Sequence, residues 1–484
     1  MKKNRIGKAA AALSLCGICA LAGGFLTGCG KQVVEEVKIP GQMESGAESS
    51  AAAQDGTTAA HAVNDNDSGN GDGSSKSGDN SGRAQNTSTS GAIRAQNLTA
   101  AVPQADIGYG DLADFGSAQL FSKNLFLKSQ EETNPVLSPV SAYLALSLAG
   151  TGARGETAQE FEAVLGDGQQ AVAGKWMNTL PADSEGTQVM LANSAWVDER
   201  MECNAQWLET AANLYRAEVY QTKLSAPETV DDINFWIEDN TKGLIKNFLD
   251  SPMDETDRLA LFNTVYFKGK WRSPFEGEST HDHTFTLEDG TQLETPMMRK
   301  YNKDMSYISG ADCDGVVLPY RDSDLVFVAL KPIKGQTVRQ LCSSLDFGQV
   351  GKMVDDAQIA TVDLLLPKFE VSFDRELTGD MKAMGLVSAF DPGRADFTGI
   401  GTTADNMPLY IGLVRQKAVF KLDEEGTEAA AVTEIMMRVG SAMPASEPIE
   451  VHFDKPFLYM IFDQETDVPL FVGIMDDPSQ AQGH

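Results

Sequence analysis

Histidine is scarce: five in 484 residues. His61 lies in a low-complexity tract and His484 is the last residue, so little imidazole remains for metal binding or general-base chemistry. Positive charge is short as well, with 39 Lys and Arg against 69 Asp and Glu and a formal net charge of −30. Phosphate binding needs basic side chains to displace counterions, so this balance argues against a nucleic-acid binder and for an acidic, soluble surface that suits basic partners. Cysteine is sparse too. Setting aside Cys16 and Cys19 in the N-terminal apolar stretch leaves Cys29, Cys203, Cys313 and Cys342. The last three are an odd number, so single buried thiols are expected rather than a disulfide-built fold, with one pair left open. No stretch after the first thirty residues is long and apolar enough to cross a bilayer. Aromatic residues are missing between Phe25 and Tyr109.

At the N-terminus, Met1-Lys2-Lys3-Asn4-Arg5 is basic and residues 9–25 are apolar, the pattern of an export signal. It ends Leu26-Thr27-Gly28-Cys29, which resembles the bacterial lipoprotein signal and implies cleavage and lipidation at Cys29. An ordinary signal peptide or an uncleaved anchor is the plainer reading. Residues 1–28 are thus the signal. Residues 29–105, rich in Gly, Ser, Asn and Ala, are read as a disordered tether with a root-mean-square reach of about 50 Å. Residues 106–480 are read as one folded domain, exported and lipid-anchored at the bacterial cell surface.

Within that domain, helical spacing is clear over 112–127, 139–148 and 230–249. Strand-like runs occupy 259–266, 306–320, 325–330, 361–366, 449–453 and 458–462. Helices first and strands later give an α+β architecture with a large antiparallel sheet. Enzyme signatures fail on context. Gly150-Thr151-Gly152-Ala153-Arg154-Gly155 matches a dinucleotide glycine pattern but follows a helical run, whereas the phosphate cradle follows a strand. His281-Asp282-His283 offers two imidazoles with no third ligand at a metal-binding spacing and reads as a solvated loop. His452 alternates out of a strand as an edge residue would. No catalytic residue, metal site or cofactor site is assigned.

In 424–440 composition and periodicity disagree. Thr427, Ala429, Ala431, Thr433, Ile435, Met437 and Val439 are small or apolar. They alternate with Glu428, Ala430, Val432, Glu434, Met436, Arg438 and Gly440. The composition favours helix, but the period of 2 is that of a strand with one buried and one wet face. Ser441-Ala442-Met443-Pro444-Ala445-Ser446-Glu447-Pro448 follows, an exposed connector open to proteolysis. A plain surface loop between two strands is the bland alternative.

The run Glu424, Glu425, Gly426, Thr427, Glu428, Ala429, Ala430, Ala431, Val432, Thr433 resembles the reactive-loop hinge of serpins. Asn134-Pro135-Val136-Leu137-Ser138-Pro139-Val140-Ser141 is similar to the family's early helix motif. Phe262-Asn263-Thr264-Val265-Tyr266-Phe267-Lys268-Gly269-Lys270-Trp271 is similar to its signature strand. Val362-Asp363-Leu364-Leu365-Leu366-Pro367-Lys368-Phe369, Phe453-Asp454-Lys455-Pro456-Phe457-Leu458 and Pro469-Leu470-Phe471-Val472-Gly473 resemble further family strands. The resemblance implies a serpin fold: a large central antiparallel sheet with additional sheets, about nine helices and an exposed reactive-centre loop over about 424–448. It implies an irreversible suicide-substrate inhibitor of serine, or of cysteine, peptidases rather than an enzyme. After cleavage and acylation the loop would insert as an extra strand and trap the peptidase. It also implies that Ser138, Ser141 and Asn263 form a polar gate where the central strands part, and that Trp271 caps the opening. Gln416 stands where the family often has His, which removes a source of pH dependence.

Counting the family's usual loop length forward from Glu424 places the cut between Gly440 and Ser441; counting back from Phe457 places it nearer Ala445 and Ser446. Arg438 would invite trypsin-like enzymes, Met443 chymotrypsin-like ones, and Val439 with Gly440 elastase-like or subtilisin-like ones. The expected partner is an elastase-like or subtilisin-like serine peptidase, met by a monomer without a cofactor. The alternative is a non-inhibitory serpin or a surface binding module on the same scaffold.

Overall fold

In a computed structural model, residues 93–105, 113–405, 407–427 and 447–481 are described. The chain divides into two compact units, Met1–Ser81 and Gly82–His484, and all described residues belong to the second. They contain nine α-helices and two large mixed sheets.

The central sheet has eight strands: β1 (Gln96–Asn97), β2 (Ala182–Asp183), β3 (Thr187–Asp198), β4 (Glu218–Thr222), β5 (Leu259–Lys270), β6 (Phe369–Glu376), β7 (Arg415–Leu422) and β8 (Gly426–Thr427). Their order is β1-β4-β3-β5-β8-β7-β6, with β2 paired to β3. The expected antiparallel sheet is corrected to a mixed one, because β3 and β4 run parallel with Ser194 opposite Glu218. A nine-stranded sheet runs from the edge strand Ile449–His452 through Gln358–Pro367 and Gln292–Ser309 to Val136–Leu137. Its inner strands, Leu325–Pro332, Phe457–Asp463 and Val468–Met475, are almost wholly buried. That explains their continuous apolar runs in place of alternation.

Two helices frame the central sheet. Helix α1 (Pro139–Thr151) starts with proline at its first turn, and the Ser138 side chain caps it by accepting from the Ser141 amide at 3.2 Å. Helix α2 (Pro227–Asn240) buries Ile233, Trp236 and Ile237 beside Trp196 and Tyr220.

Four further readings are corrected. The helix expected over 230–249 stops at Asn240, because Lys242 and Gly243 take left-handed φ values of 52° and 79°. The run 306–320 is two strands, Gln292–Ser309 and Cys313–Pro319, joined by a turn in which the Gly310 amide donates to the Cys313 carbonyl. His281 and His283 lie on the strand Thr280–Thr286, paired with Met297 and Thr295, not in a loop. Residues 93–105, assigned to the tether, belong to the folded unit. Gln96 and Asn97 pair with Gln221 and Tyr220, the Leu98 amide donates to the Val219 carbonyl at 2.7 Å, and Arg94 binds the buried carboxylate of Asp232 at 2.9 Å. Backbone pairing, the ion pairs of Arg94 with Asp232 and Asp231, and the packing of Ile93, Ala95 and Leu98 hold this segment. Cys203, Cys313 and Cys342 are free thiols, and burial pushes Cys203 and Cys313 up to about 11.

Candidate functional site: an opening in the central sheet

Strands β5 and β7 are neighbours only through β8. β8 is antiparallel to both, with Gly426 opposite Lys270 and Thr427 opposite both Gly269 and Leu422. The two long strands therefore run parallel to each other. Beyond Thr427, no ladder joins them among the described residues. Between them lies a cleft of about 1050 Å³, open mouth included, with Ser141 and Ala142 of α1 at its base and Asn263, Val265, Gln416 and Ala418 on its sides. Asn263 Oδ1 and Thr264 Oγ1 are buried there with no hydrogen-bond partner among the described residues.

The closed end is built around a tight turn. Asp423 accepts the amides of Glu425 and Gly426 through Oδ1, at 3.0 and 3.2 Å, and its own amide donates to the Gly426 carbonyl at 2.9 Å. A side chain at Gly426 would sit 1.9 Å from the Gly269 carbonyl oxygen, so the close approach of the turn to β5 requires glycine. Thr427 is buried, its Oγ1 2.6 Å from the Tyr320 hydroxyl. Tyr320 is stacked on Trp271 at 4.8 Å and meets Phe267 edge-on at the same distance. Trp271 donates from Nε1 to the Asp423 carbonyl at 3.0 Å and from its amide to the Glu425 carbonyl at 2.8 Å. Glu424 is paired with Lys368 at 2.7 Å and accepts from Thr280 Oγ1 at 2.9 Å.

Charges at this end are tuned in opposite directions. Burial raises the Asp423 carboxyl, and its two amide donors offset only part of that. Burial is the largest single influence on Glu424 and would raise it, but the hydrogen bonds from Lys368, its own backbone amide and Thr280, with the Lys368 charge, together outweigh burial and hold the carboxyl below its ordinary range. Burial raises the Tyr320 phenol strongly.

Partway along the opening, four of the five residues expected at the gate come together. Gln416 Oε1 accepts from the Ser138 amide at 3.0 Å and Gln416 Nε2 donates to the Ser138 carbonyl at 2.9 Å. Ser141 Oγ donates to the Asn263 carbonyl at 3.5 Å, and Asn263 Nδ2 donates to Asn193 Oδ1 at 2.7 Å. The start of α1 therefore grips both sides of the opening, Ser138 holding β7 and Ser141 holding β5. Trp271, expected to cap the opening, lies at its closed end with Glu424, Glu425, Gly426 and Thr427.

The expectation that the loop stands wholly outside the sheet is corrected at its first two residues. Gly426 and Thr427 already lie between β5 and β7, held by the glycine contact and the Thr427–Tyr320 hydrogen bond. Glu428, Ala429, Ala430, Ala431, Val432 and Thr433 lie outside the described residues. So do Arg438, Val439, Gly440, Ser441, Met443, Ala445 and Ser446, along with the signal 1–28 and Cys29.

Sequence reasoning missed Tyr320, Asp423 and Asn193 as members of the site. Lys368 fell within a quoted motif without a role. Tyr320 and Asn193 are brought in by strand pairing, so no local pattern marks them.

A central sheet with one strand position begun by Gly426 and Thr427, and a second, nine-stranded sheet, make up the fold. The family model "Serpin (serine protease inhibitor)" matches residues 117–478, and the chain belongs to the serpin family. The chain is 32% identical over 366 residues to a serine protease inhibitor of Cyanea capillata, spanning 72% of this chain and 93% of that one. It is 30% identical over 385 residues to alpha-1-antiproteinase 2 of Equus caballus, spanning 76% and 87%. The crystal structure of the thermophilic serpin tengpin in its native state superposes with a TM-score of 0.73 at 28% identity, over 80% of this chain and all of that one.

Proposed function

We propose that this protein is a single-use inhibitor of serine peptidases, of elastase-like or subtilisin-like specificity, acting by insertion of its cleaved loop between β5 and β7. The observation that carries the reading is a position between two parallel strands that is begun at one end by Gly426 and Thr427 and that no further described residue fills. Continuing that ladder one residue at a time brings Ala429 between Phe267 and Phe420 and Ala431 between Val265 and Ala418. Thr433 then falls between Asn263 and Gln416. Small residues meet the aromatic pair, and the threonine hydroxyl meets the polar gate and the partnerless Asn263 Oδ1. β5 begins at Leu259, opposite Met437, so an inserted strand reaches its far end three residues before Gly440.

In the proposed reaction, a peptidase serine attacks the Gly440 carbonyl carbon, the Gly440–Ser441 bond breaks, and the Ser441 amine leaves with the proton. The ester left on Gly440 is carried about 30 to 35 Å as the ladder forms at about 3.4 Å per residue. Burying the inward side chains at roughly 1 to 2 kcal/mol each, plus ladder hydrogen bonds of about 1 kcal/mol, drives insertion by more than roughly 10 kcal/mol. Attachment at the bacterial cell surface through a lipidated Cys29 is part of the proposal, supported by Leu26-Thr27-Gly28-Cys29 after a basic and apolar start. The protein acts as a monomer without a cofactor.

The experiment is incubation with pancreatic elastase and with subtilisin, read on a denaturing gel and by mass spectrometry. A one-to-one adduct stable to denaturation and a released fragment beginning at Ser441 are expected. Complete loop cleavage without any adduct overturns the reading in favour of a non-inhibitory relative.

A further inference from the structure

The two faces of the opening differ in chemistry. The inner face, towards α1, is apolar except at Asn263 and Gln416. The outer face lies on the side of α2, where Phe262 and Val419 pack beside Trp236 and Ile237. Strand alternation places Lys268 on this face of β5 and Lys421, Lys417 and Arg415 on this face of β7. Lys268 and Lys421 are half-buried. Arg415 forms a bidentate pair with Asp374 of β6, both contacts at 2.7 Å, and its guanidinium carbon lies 5.3 Å from the centre of the Phe248 ring. Phe248 in turn meets Phe262 of β5 edge-on at 5.9 Å. A side chain of β7 thus reaches the β5 side across the opening.

The same continuation of the ladder fixes the wet face of the incoming strand. Glu428 falls between Lys268 and Lys421. Ala430 falls between Tyr266 and Val419, and Val432 between Thr264 and Lys417. Glu434 falls between Phe262 and Arg415. The two acidic members of the outer set each meet a basic neighbour, and Ala430, in between, meets none.

The geometry points to a charge-coded register: Lys268 and Lys421 receive Glu428, while Arg415 exchanges the Phe248 ring for the Glu434 carboxylate as the strand enters. This rests on the insertion reading above and adds the residues that choose its register. A two-residue slip towards the far end would keep the faces correct but set Glu428 beside Tyr266 and Val419 and Glu434 beside Ala260. Both carboxylates would then lose their partners. Arg415 is a positioning residue in this scheme, closing the outer face before entry and pairing afterwards.

The test uses the full-length protein nicked within 438–446 by thermolysin, a metallopeptidase that activates water and forms no acyl-enzyme to be trapped. The global unfolding rate is measured in urea at low salt. Nicking should slow wild-type unfolding by about 100-fold or more. In the nicked protein, Arg415→Gln or Glu434→Gln should each speed unfolding about 2- to 5-fold, and the double variant by clearly less than the product of the two, since Arg415→Gln also removes the Asp374 pair. Lys268→Gln and Glu428→Gln should behave likewise, and 1 M NaCl should erase all four effects. In the uncut protein the paired variants should act independently. Independent effects in the nicked protein at low salt overturn the charge-coded register while leaving insertion intact. A wild-type protein that gains no resistance on nicking overturns insertion itself, and the register with it.

Discussion

Thr427→Arg tests the insertion reading where it starts. Thr427 is buried, with its hydroxyl 2.6 Å from Tyr320 and its backbone paired with both Gly269 and Leu422. No carboxylate is described within bonding distance of its side chain. An arginine here would place an unpaired guanidinium beneath Trp271 and Phe267, at a cost of several kcal/mol. The ladder bonds of Gly426 and Thr427 contribute only about 1 kcal/mol each, so the larger penalty expels β8 from the sheet. After cleavage the same penalty falls on the first step of insertion. A barrier raised by about 3 kcal/mol slows that step roughly 100-fold, at tenfold per 1.4 kcal/mol.

Trapping depends on insertion outrunning hydrolysis of the acyl-enzyme, so the variant should become a substrate: cleaved in full, with little adduct. The assay is the ratio of adduct to cleaved inhibitor on a denaturing gel at fixed peptidase. Thr427→Ser, which keeps the hydroxyl on Tyr320, should trap as the wild type does. A Thr427→Arg protein that traps as efficiently as wild type would refute the reasoning.

Three further outcomes follow from the same geometry. The Glu424 carboxyl lies below its ordinary value, so its contribution to stability is complete above about pH 4.5 and is lost as pH falls through the lowered value. Thermal unfolding of the uncut protein should show this acid loss, and Glu424→Gln should remove that part of it, while the raised Asp423 carboxyl works in the opposite sense. Gln416→His should give the melting temperature a dependence between about pH 6 and 7 that the wild type lacks there, because an imidazolium cannot accept the Ser138 amide; stability should fall as the ring protonates. Trp271→Ala should destabilise the uncut protein by about 3 to 5 kcal/mol, measured by urea denaturation, since the indole is buried against Tyr320, Phe275 and Phe327.

Much of this site was legible because strand alternation needs no tertiary information. The small residues at 427, 429 and 431 and the motif around Asn263 point to one strand entering beside another. Ser138, Ser141 and Gln416 were reached only through resemblance, since they meet across more than 270 positions of sequence, as Ser138 and Gln416 do. Tyr320 was read as the end of a single strand, and its turn to Thr427 depends on the bend at Gly310 and on the bridge between Trp271 and Tyr320. The segment 93–105 was missed because strand pairing and the polar contacts of Arg94 with Asp231 and Asp232 do much of the holding, with Ile93, Ala95 and Leu98 its few apolar contacts. Composition scores apolar content and is blind to an edge strand held in that way.

In the uncut protein, entry of the loop beyond Thr427 would be opposed by what holds the two sides apart. Ser138 fixes β7 through two hydrogen bonds with Gln416, and Ser141 fixes β5 through the Asn263 carbonyl. Both serines belong to the start of one helix, so α1 sets the spacing of the sides. Each further residue entering before cleavage would pull on a loop tied at Ile449, the first residue of the edge strand paired with Val362–Leu365 in the other sheet. Gly426 and Thr427 enter because the turn at Asp423 delivers them without that pull. Cutting between Gly440 and Ser441 removes the tie, and the residue that then reaches the gate is Thr433, whose hydroxyl can bond to the Asn263 Oδ1 left without a partner. On the insertion reading, tension closes the gate to an uncut loop and complementarity opens it to a cut one, so an uncut protein whose tie is lengthened by a glycine-rich insertion before Ile449 should take up more of the loop and lose inhibition without being cleaved.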